Sequence, residues 1–150
     1  MFWGILDARA IIPSLRAANK DEALREAARA LAPIGGDSPE RLHRLFTARE
    51  SQASTAIREG IAIPHIKWEG PFVAGLAFSP PGIEFGALDG KPVHIFFLLA
   101  APRAKAGEHL KIMARISRLT LQGARLAALL KETHDTTTIM GIIKSIEDGV

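Results

Sequence analysis

The chain contains no cysteine, so disulfide frameworks, thiolate metal sites and cysteine nucleophiles are excluded, and any covalent chemistry must run through another side chain. Long hydrophobic runs are missing as well. The longest apolar stretch, Ile95 to Ala101, falls far short of the roughly 18 residues that a membrane span needs. The N-terminus has no basic n-region, and Asp7 and Arg9 interrupt Met1-Phe2-Trp3-Gly4-Ile5-Leu6 before an h-region can develop. A cytoplasmic protein with no membrane insertion is the expectation. Clustered charge is also absent. Nineteen Lys and Arg against 16 Asp and Glu leave a formal +3, but the cations are spread along the chain without a stripe or arm, and no nucleic-acid partner is expected. No two histidines show the i, i+4 spacing or the acidic neighbours of a metal site. Neither a metal nor any other cofactor is expected.

What is present is the composition of a globular protein: 150 residues, 47% hydrophobic and 23% charged, enough for one core. No repeat, linker or low-complexity segment divides residues 1–150, which are expected to form a single domain. Ala8 to Ile12, ended by Pro13, reads as a short strand. Asn19 with Glu22 forms a capping pair, and Leu24, Ala27, Ala28 and Leu31 recur at helical spacing, predicting a helix over 20–32. Gly35-Gly36 ends it. Ser38 followed by Pro39 starts a second helix, whose stripe Leu42, Leu45 and Phe46 continues to Arg49 and so turns that arginine inward.

From Ser54 to Pro102 the period changes. Ile61 to Ile63, Phe72 to Phe78 and Val93 to Ala100 are β-prone segments bounded by Gly60, Gly70-Pro71, Pro80-Pro81-Gly82 and Asp89-Gly90. Val93 to Leu99 is apolar on both alternating faces, which requires helices on both sides of the sheet. Helices are expected again over about 107–120, after Gly123, and after the cap Asp135. The fold expected is α/β, a three-layer α/β/α sandwich.

Five histidines are present. His43 and His134 read as surface residues, and His94 on the apolar strand as a neutral imidazole bonded to backbone. His65 differs because Gly60 allows close backbone approach, Ile61 to Ile63 give rigid support, and Pro64 restricts the chain just before the ring. A strand-end histidine of this kind is either an ordinary surface residue or a positioned nucleophile. His109 shares a helical face with Ile112, Met113 and Ile116, which suits a core histidine. It also lies in the first helical turn, where free N–H groups favour an anion and a neutral imidazole. An inward Arg49 needs an anion, either a carboxylate such as Glu50 or a phosphoryl group. The Ser54 and Thr55 hydroxyls are either turn formers or further donors to phosphate oxygens.

Taken together, Arg49-Glu50, Ser54-Thr55-Ala56-Ile57, Gly60-Ile61-Ala62-Ile63-Pro64-His65, Leu88-Asp89-Gly90-Lys91-Pro92-Val93 and Glu108-His109-Leu110 resemble the enzyme IIA domains of the bacterial phosphoenolpyruvate-dependent phosphotransferase system. The resemblance is to the fructose/mannitol superfamily with its nitrogen-regulatory branch, and it covers essentially the whole chain. It implies a mixed central sheet between helical layers. It also implies that His65 accepts a phosphoryl group from the carrier HPr or its nitrogen-branch counterpart, with His109 and Arg49 supporting the site. Two fates of the phosphate follow: a regulatory role through a target protein, or sugar uptake through an enzyme IIB. An unphosphorylated binding module on the same fold is the remaining alternative. Arg58 and Ile66 depart from the family pattern, which commonly has small residues at both places.

Overall fold

The computed structural model describes residues 1–149. In chain order these form β1 (Leu6–Ile12), α1 (Lys20–Gly35), α2 (Pro39–Gln52), β2 (Ile61–Ala62), β3 (His65–Trp68), β4 (Val73–Ile83), β5 (Val93–Pro102), α3 (Ala106–Thr120), α4 (Gly123–Lys131) and α5 (Thr136–Asp148). The sequence caps act as expected. The Glu22 amide donates to Asn19 Oδ1 at 2.9 Å, and the Glu22 carboxylate in turn accepts from the Ala18 amide at 3.0 Å. α1 ends where Gly36 takes a left-handed φ of 69° and Asp37 N–H reaches back to the Ala32 carbonyl at 2.9 Å, a closure that glycine makes without steric cost. Ser38 and Asp135 cap α2 and α5 through their side chains.

β5 lies at the centre of a mixed sheet. It pairs antiparallel with β4 along one edge and parallel with β2 and β3 along the other, and β1 runs parallel to β4 on the far side. Its side chains alternate between two cores. Phe96, Leu98 and Ala100 pack with Leu24, Leu31 and Phe46 of α1 and α2. Ile95, Phe97 and Leu99 pack with Ile116, Leu126 and Ile143 of α3, α4 and α5. Phe96 and Phe97 are both buried, each worth roughly 1.5–3 kcal/mol relative to exposure. This is the α/β/α sandwich with a mixed sheet that the residues and the resemblance predicted.

Prolines stand at two places within the sheet. Pro80-Pro81-Gly82 does not end β4, which continues to Ile83 with a shift of register after Phe78. Pro80 and Pro81 are exposed there, and His94 Nδ1 donates to the Ser79 carbonyl at 2.9 Å, so a side chain ties the irregular stretch to β5. Pro64 interrupts its ladder without ending it. Its carbonyl still accepts from the Leu99 amide at 3.1 Å, and pairing to β5 resumes at once with His65 opposite Leu99.

Between Leu6 and Ile11 the register of β1 on β4 shifts, and Ala10 comes so close to Gly75 that a Cβ there would meet the Ala10 carbonyl oxygen at 2.5 Å. Neither backbone can yield without breaking sheet pairing. Gly75→Ala is therefore expected to lower unfolding free energy by about 1–3 kcal/mol, measured by denaturant unfolding with the far-UV spectrum of the native state unchanged.

Candidate functional site

His65 opens the short edge strand β3 directly after Pro64. Its Nδ1 lies 2.7 Å from the Ile63 carbonyl oxygen, which can only accept, so Nδ1 carries the proton and Nε2 keeps its lone pair. Strand alternation then sets the face. Leu99, the partner of His65, belongs to the core beneath α3, whereas Ala100, the partner of Ile66, belongs to the core beneath α1 and α2.

His65 therefore meets α3. His109 stands in the first turn of that helix, and the two imidazoles sit edge to face with centroids 5.9 Å apart and planes at 68°. His109 Nε2 is buried and has no hydrogen-bond partner among the described residues. A buried unpaired ring nitrogen is costly unless something satisfies it.

Arg49 closes α2 on the other side of the strand. It is half-buried rather than inward-facing, and its Nη1 donates to the Ala53 carbonyl at 2.9 Å. Glu50, the carboxylate weighed as its partner, is the residue that is buried, and it is engaged elsewhere. It accepts from Lys20 Nζ at 2.9 Å, from the Thr55 amide at 3.0 Å and from the Thr55 hydroxyl. Among the described residues Arg49 makes no ion pair, and it borders open space.

That space is a cleft of about 690 Å³ between α2 and the start of α3, with β3 as its floor. α2 contributes Leu45, Ala48, Arg49 and Gln52; β3 contributes His65, Ile66 and Lys67; Arg103, Ala106, His109 and Leu110 complete the wall. Three cations line it and no carboxylate does.

His65, His109 and Arg49 are thus brought together, while Ser54 and Thr55 are not among the lining residues. Ser54 Oγ donates to the Phe85 carbonyl at 2.7 Å and accepts from the Ala56 amide at 3.1 Å. The Thr55 hydroxyl serves Glu50. Ile66 lines the cleft, while Ile63 and Phe85 are buried in the two opposite cores. Arg58 is exposed and borders a different depression with Ile57 and Glu59. Lys67 and Arg103 were missed. Lys67 was recoverable, since two residues beyond His65 on a strand is the same face; Arg103 had no local signal.

Burial in the cleft wall pushes the His65 imidazole below its ordinary value. The bond to the Ile63 carbonyl opposes this, the charge of Arg49 adds to it, Glu50 opposes it and Lys67 adds to it. His109 is also lowered, by burial first and then by His65 and Lys67. Near neutral pH both rings are uncharged, and His65 presents a lone pair to a cationic cleft. Such a site suits transfer of a compact anionic group to nitrogen.

Comparison with known proteins finds relatives over most of the chain. The model of the family described as "Phosphoenolpyruvate-dependent sugar phosphotransferase system, EIIA 2" matches residues 4–146. The "Nitrogen regulatory protein" of Bradyrhizobium diazoefficiens is 35% identical over 137 residues, covering 89% of this chain and 88% of that protein. The crystal structure of nitrogen regulatory protein IIA-Ntr from Neisseria meningitidis superposes with a TM-score of 0.84 at 24% identity, covering 94% of this chain and 97% of that one. The enzyme IIAMTL of Escherichia coli, solved in complex with phosphorylated enzyme IIBMTL, gives 0.74 at 22% identity over 93% and 96%. The two structural likenesses establish the fold.

The depressed histidines make a pH prediction with a definite sign. The unfolded chain binds their protons more readily, so stability is full above the ordinary histidine value of about 6.5. It falls as pH drops through that value, and the loss levels off below the folded values. Thermal unfolding between pH 8 and 5 is expected to show this loss, reduced in His65→Gln. NMR titration of the imidazole carbons is expected to place both rings below the free value, with Arg49→Met moving His65 upward.

Proposed function

The chain belongs to the EIIA 2 family of the phosphoenolpyruvate-dependent sugar phosphotransferase system, and from that premise we propose that it is a phosphotransfer protein whose acceptor is His65. The observation that carries this reading is the fixed tautomer: Nδ1–H is held by the Ile63 carbonyl, which leaves Nε2 free in a cleft lined with cations and no carboxylate. The phosphoryl donor is an HPr-type carrier bearing a phosphohistidine.

In the proposed step the Nε2 lone pair attacks phosphorus in line. The new P–N bond forms as the donor's P–N bond breaks, and the bonding pair returns to the donor ring. No proton moves on the acceptor side, because Nδ1–H stays on the Ile63 carbonyl. Charge in this loose transition state is spread over the equatorial oxygens, so the protein's contribution is positioning and donors. Arg49 has free N–H groups for two of those oxygens, and the unpaired His109 Nε2 gains a partner if it donates to a third. Ser54 and Thr55 would reach the group only by giving up their present bonds, so their part is to fix the segment that follows α2.

The phosphate then has a regulatory use, in which the added charge changes binding to a target protein. The match over 88% of the length of a protein named a nitrogen regulatory protein supports that branch. Transfer onward to an enzyme IIB is the second reading, favoured by the fold shared with an enzyme IIA solved against a phosphorylated IIB.

The test is incubation with phosphoenolpyruvate, enzyme I and an HPr-type carrier, followed by intact-mass measurement under alkaline conditions that preserve P–N bonds. One added phosphoryl group is expected on the wild type, with nitrogen-resolved NMR assigning it to Nε2, and none on His65→Ala. His109→Ala is expected to lower the transfer rate about a hundredfold, the scale of one lost oxyanion donor. An unlabelled wild type with a competent carrier would overturn the proposal.

A further inference from the structure

The transfer step described above makes no use of Glu50. Its side chain is 4% exposed and its partner Lys20, at 2.9 Å, is 31% exposed. Such a pair is weak evidence for stability, because the cost of taking the carboxylate out of water offsets the attraction. What Glu50 holds is the chain that leaves α2. Its two oxygens accept from the Thr55 amide at 3.0 Å and from the Thr55 hydroxyl, and Thr55 is itself buried.

Thr55 in turn holds the residue that orients the acceptor. Its carbonyl accepts from the Ile63 amide at 3.1 Å, and the Ile63 carbonyl lies 2.7 Å from His65 Nδ1. Ile63 stands in the gap between β2 and β3, so the Thr55 bond takes the place of a ladder bond. The carbonyl that fixes the His65 tautomer is thus aimed from α2, through hydrogen bonds in series, and not by the sheet alone. A neutral imidazole released into water favours the proton on Nε2, the form in which that nitrogen has no lone pair. We propose, on the phosphotransfer reading above, that Glu50, anchored by Lys20 and acting through Thr55, is a positioning residue that keeps the His65 proton on Nδ1 and so keeps Nε2 free to attack. Glu50 does not line the cleft; its action on the ring is indirect.

Neighbouring positions on a helix point about 100° apart. Arg49 borders the cleft and Glu50 is buried, so one turn of α2 presents a cation to the incoming group and a carboxylate to the backbone that aims its acceptor.

The experiment uses the whole chain with nitrogen-15-labelled histidine, near pH 8 and so above the ordinary histidine value of about 6.5. Nitrogen shifts then distinguish a ring nitrogen that carries a proton from one that carries a lone pair. The wild-type His65 is expected as Nδ1–H. Thr55→Val removes the hydroxyl and Glu50→Gln removes the charge, each at nearly constant shape, and both are expected to move part of the His65 population to Nε2–H. Only the Nδ1–H form can react, so kcat for transfer from an HPr-type carrier should fall about fivefold, the scale of one net hydrogen bond, with KM unchanged. Thr55→Ser restores the hydroxyl and is expected to restore both readouts. Should the first two variants fail to fold, Lys20→Met, which leaves Glu50 and Thr55 in place, is expected to show the same two changes. A network that serves packing alone lowers the unfolding midpoint and leaves tautomer and kcat as they are. That result in a folded variant overturns the inference and leaves phosphotransfer standing, and so does a changed tautomer with an unchanged kcat. A wild type that a competent carrier does not phosphorylate overturns the phosphotransfer reading, whichever nitrogen carries the proton.

Discussion

A strand that cannot touch water on either face organises this molecule. From Ile95 to Ala100 every side chain of β5 is buried, alternately in the core under α1 and α2 and in the core under α3, α4 and α5. Its backbone groups need partners on both edges, since unpaired buried amides are costly, and β4 on one side and β2 with β3 on the other supply them. The location of the cleft is a consequence. β3 pairs with the last residues of β5, from Leu99 to Pro102, and the chain leaving Pro102 turns straight into α3. The nucleophile candidate and the start of the helix that faces it are therefore held by the same end of one rigid strand.

Within that frame, Pro64 sets the local geometry. A proline gives no amide to a ladder, so the edge pairing splits into two short strands with Ile63 and Pro64 between them. Ile63 N–H turns inward to the Thr55 carbonyl at 3.1 Å, while its own carbonyl accepts from His65 Nδ1. The interruption that would weaken an ordinary strand here supplies the acceptor that fixes a tautomer. Pairing with β5 on both sides of the break keeps the imidazole from swinging away.

The layered fold was legible because its signals are periodic. The two-faced apolar run of β5 and the capped stripes of α1, α2 and α5 each encode their environment in spacing alone, and helical phase brought Arg49 and His109 to attention. Side-chain partners were less legible. Glu50 meets Lys20 across the interface of two helices, and Ser54 meets the carbonyl of Phe85, 31 residues further along the chain, so neither bond has a local signature. A hydroxyl after a helix looks the same in sequence whether it faces a cleft or a neighbouring carbonyl. The exposed prolines of β4 were misleading for a related reason: a proline bars a strand only where its missing amide or its ring would face a neighbour, and that depends on the sheet edge.

The electrostatics of the cleft depend on an ion pair outside it. Lys20 engages Glu50 at 2.9 Å and also lies 4.6 Å from the centre of the Phe85 ring, so the carboxylate next to Arg49 in sequence is already paired. Were Glu50 to turn to Arg49 instead, the guanidinium would spend its bidentate face on a carboxylate. Arg49 would then lower the His65 imidazole less, and an incoming anion would have to displace a carboxylate before it could bind. With Glu50 held by Lys20, by the Thr55 amide and by the Thr55 hydroxyl, the cleft keeps Arg49 without a counter-charge beside a neutral ring. Thr55 and Lys20 thus bear on the proposed phosphoryl site without lining it, by engaging the carboxylate that follows Arg49 in the chain.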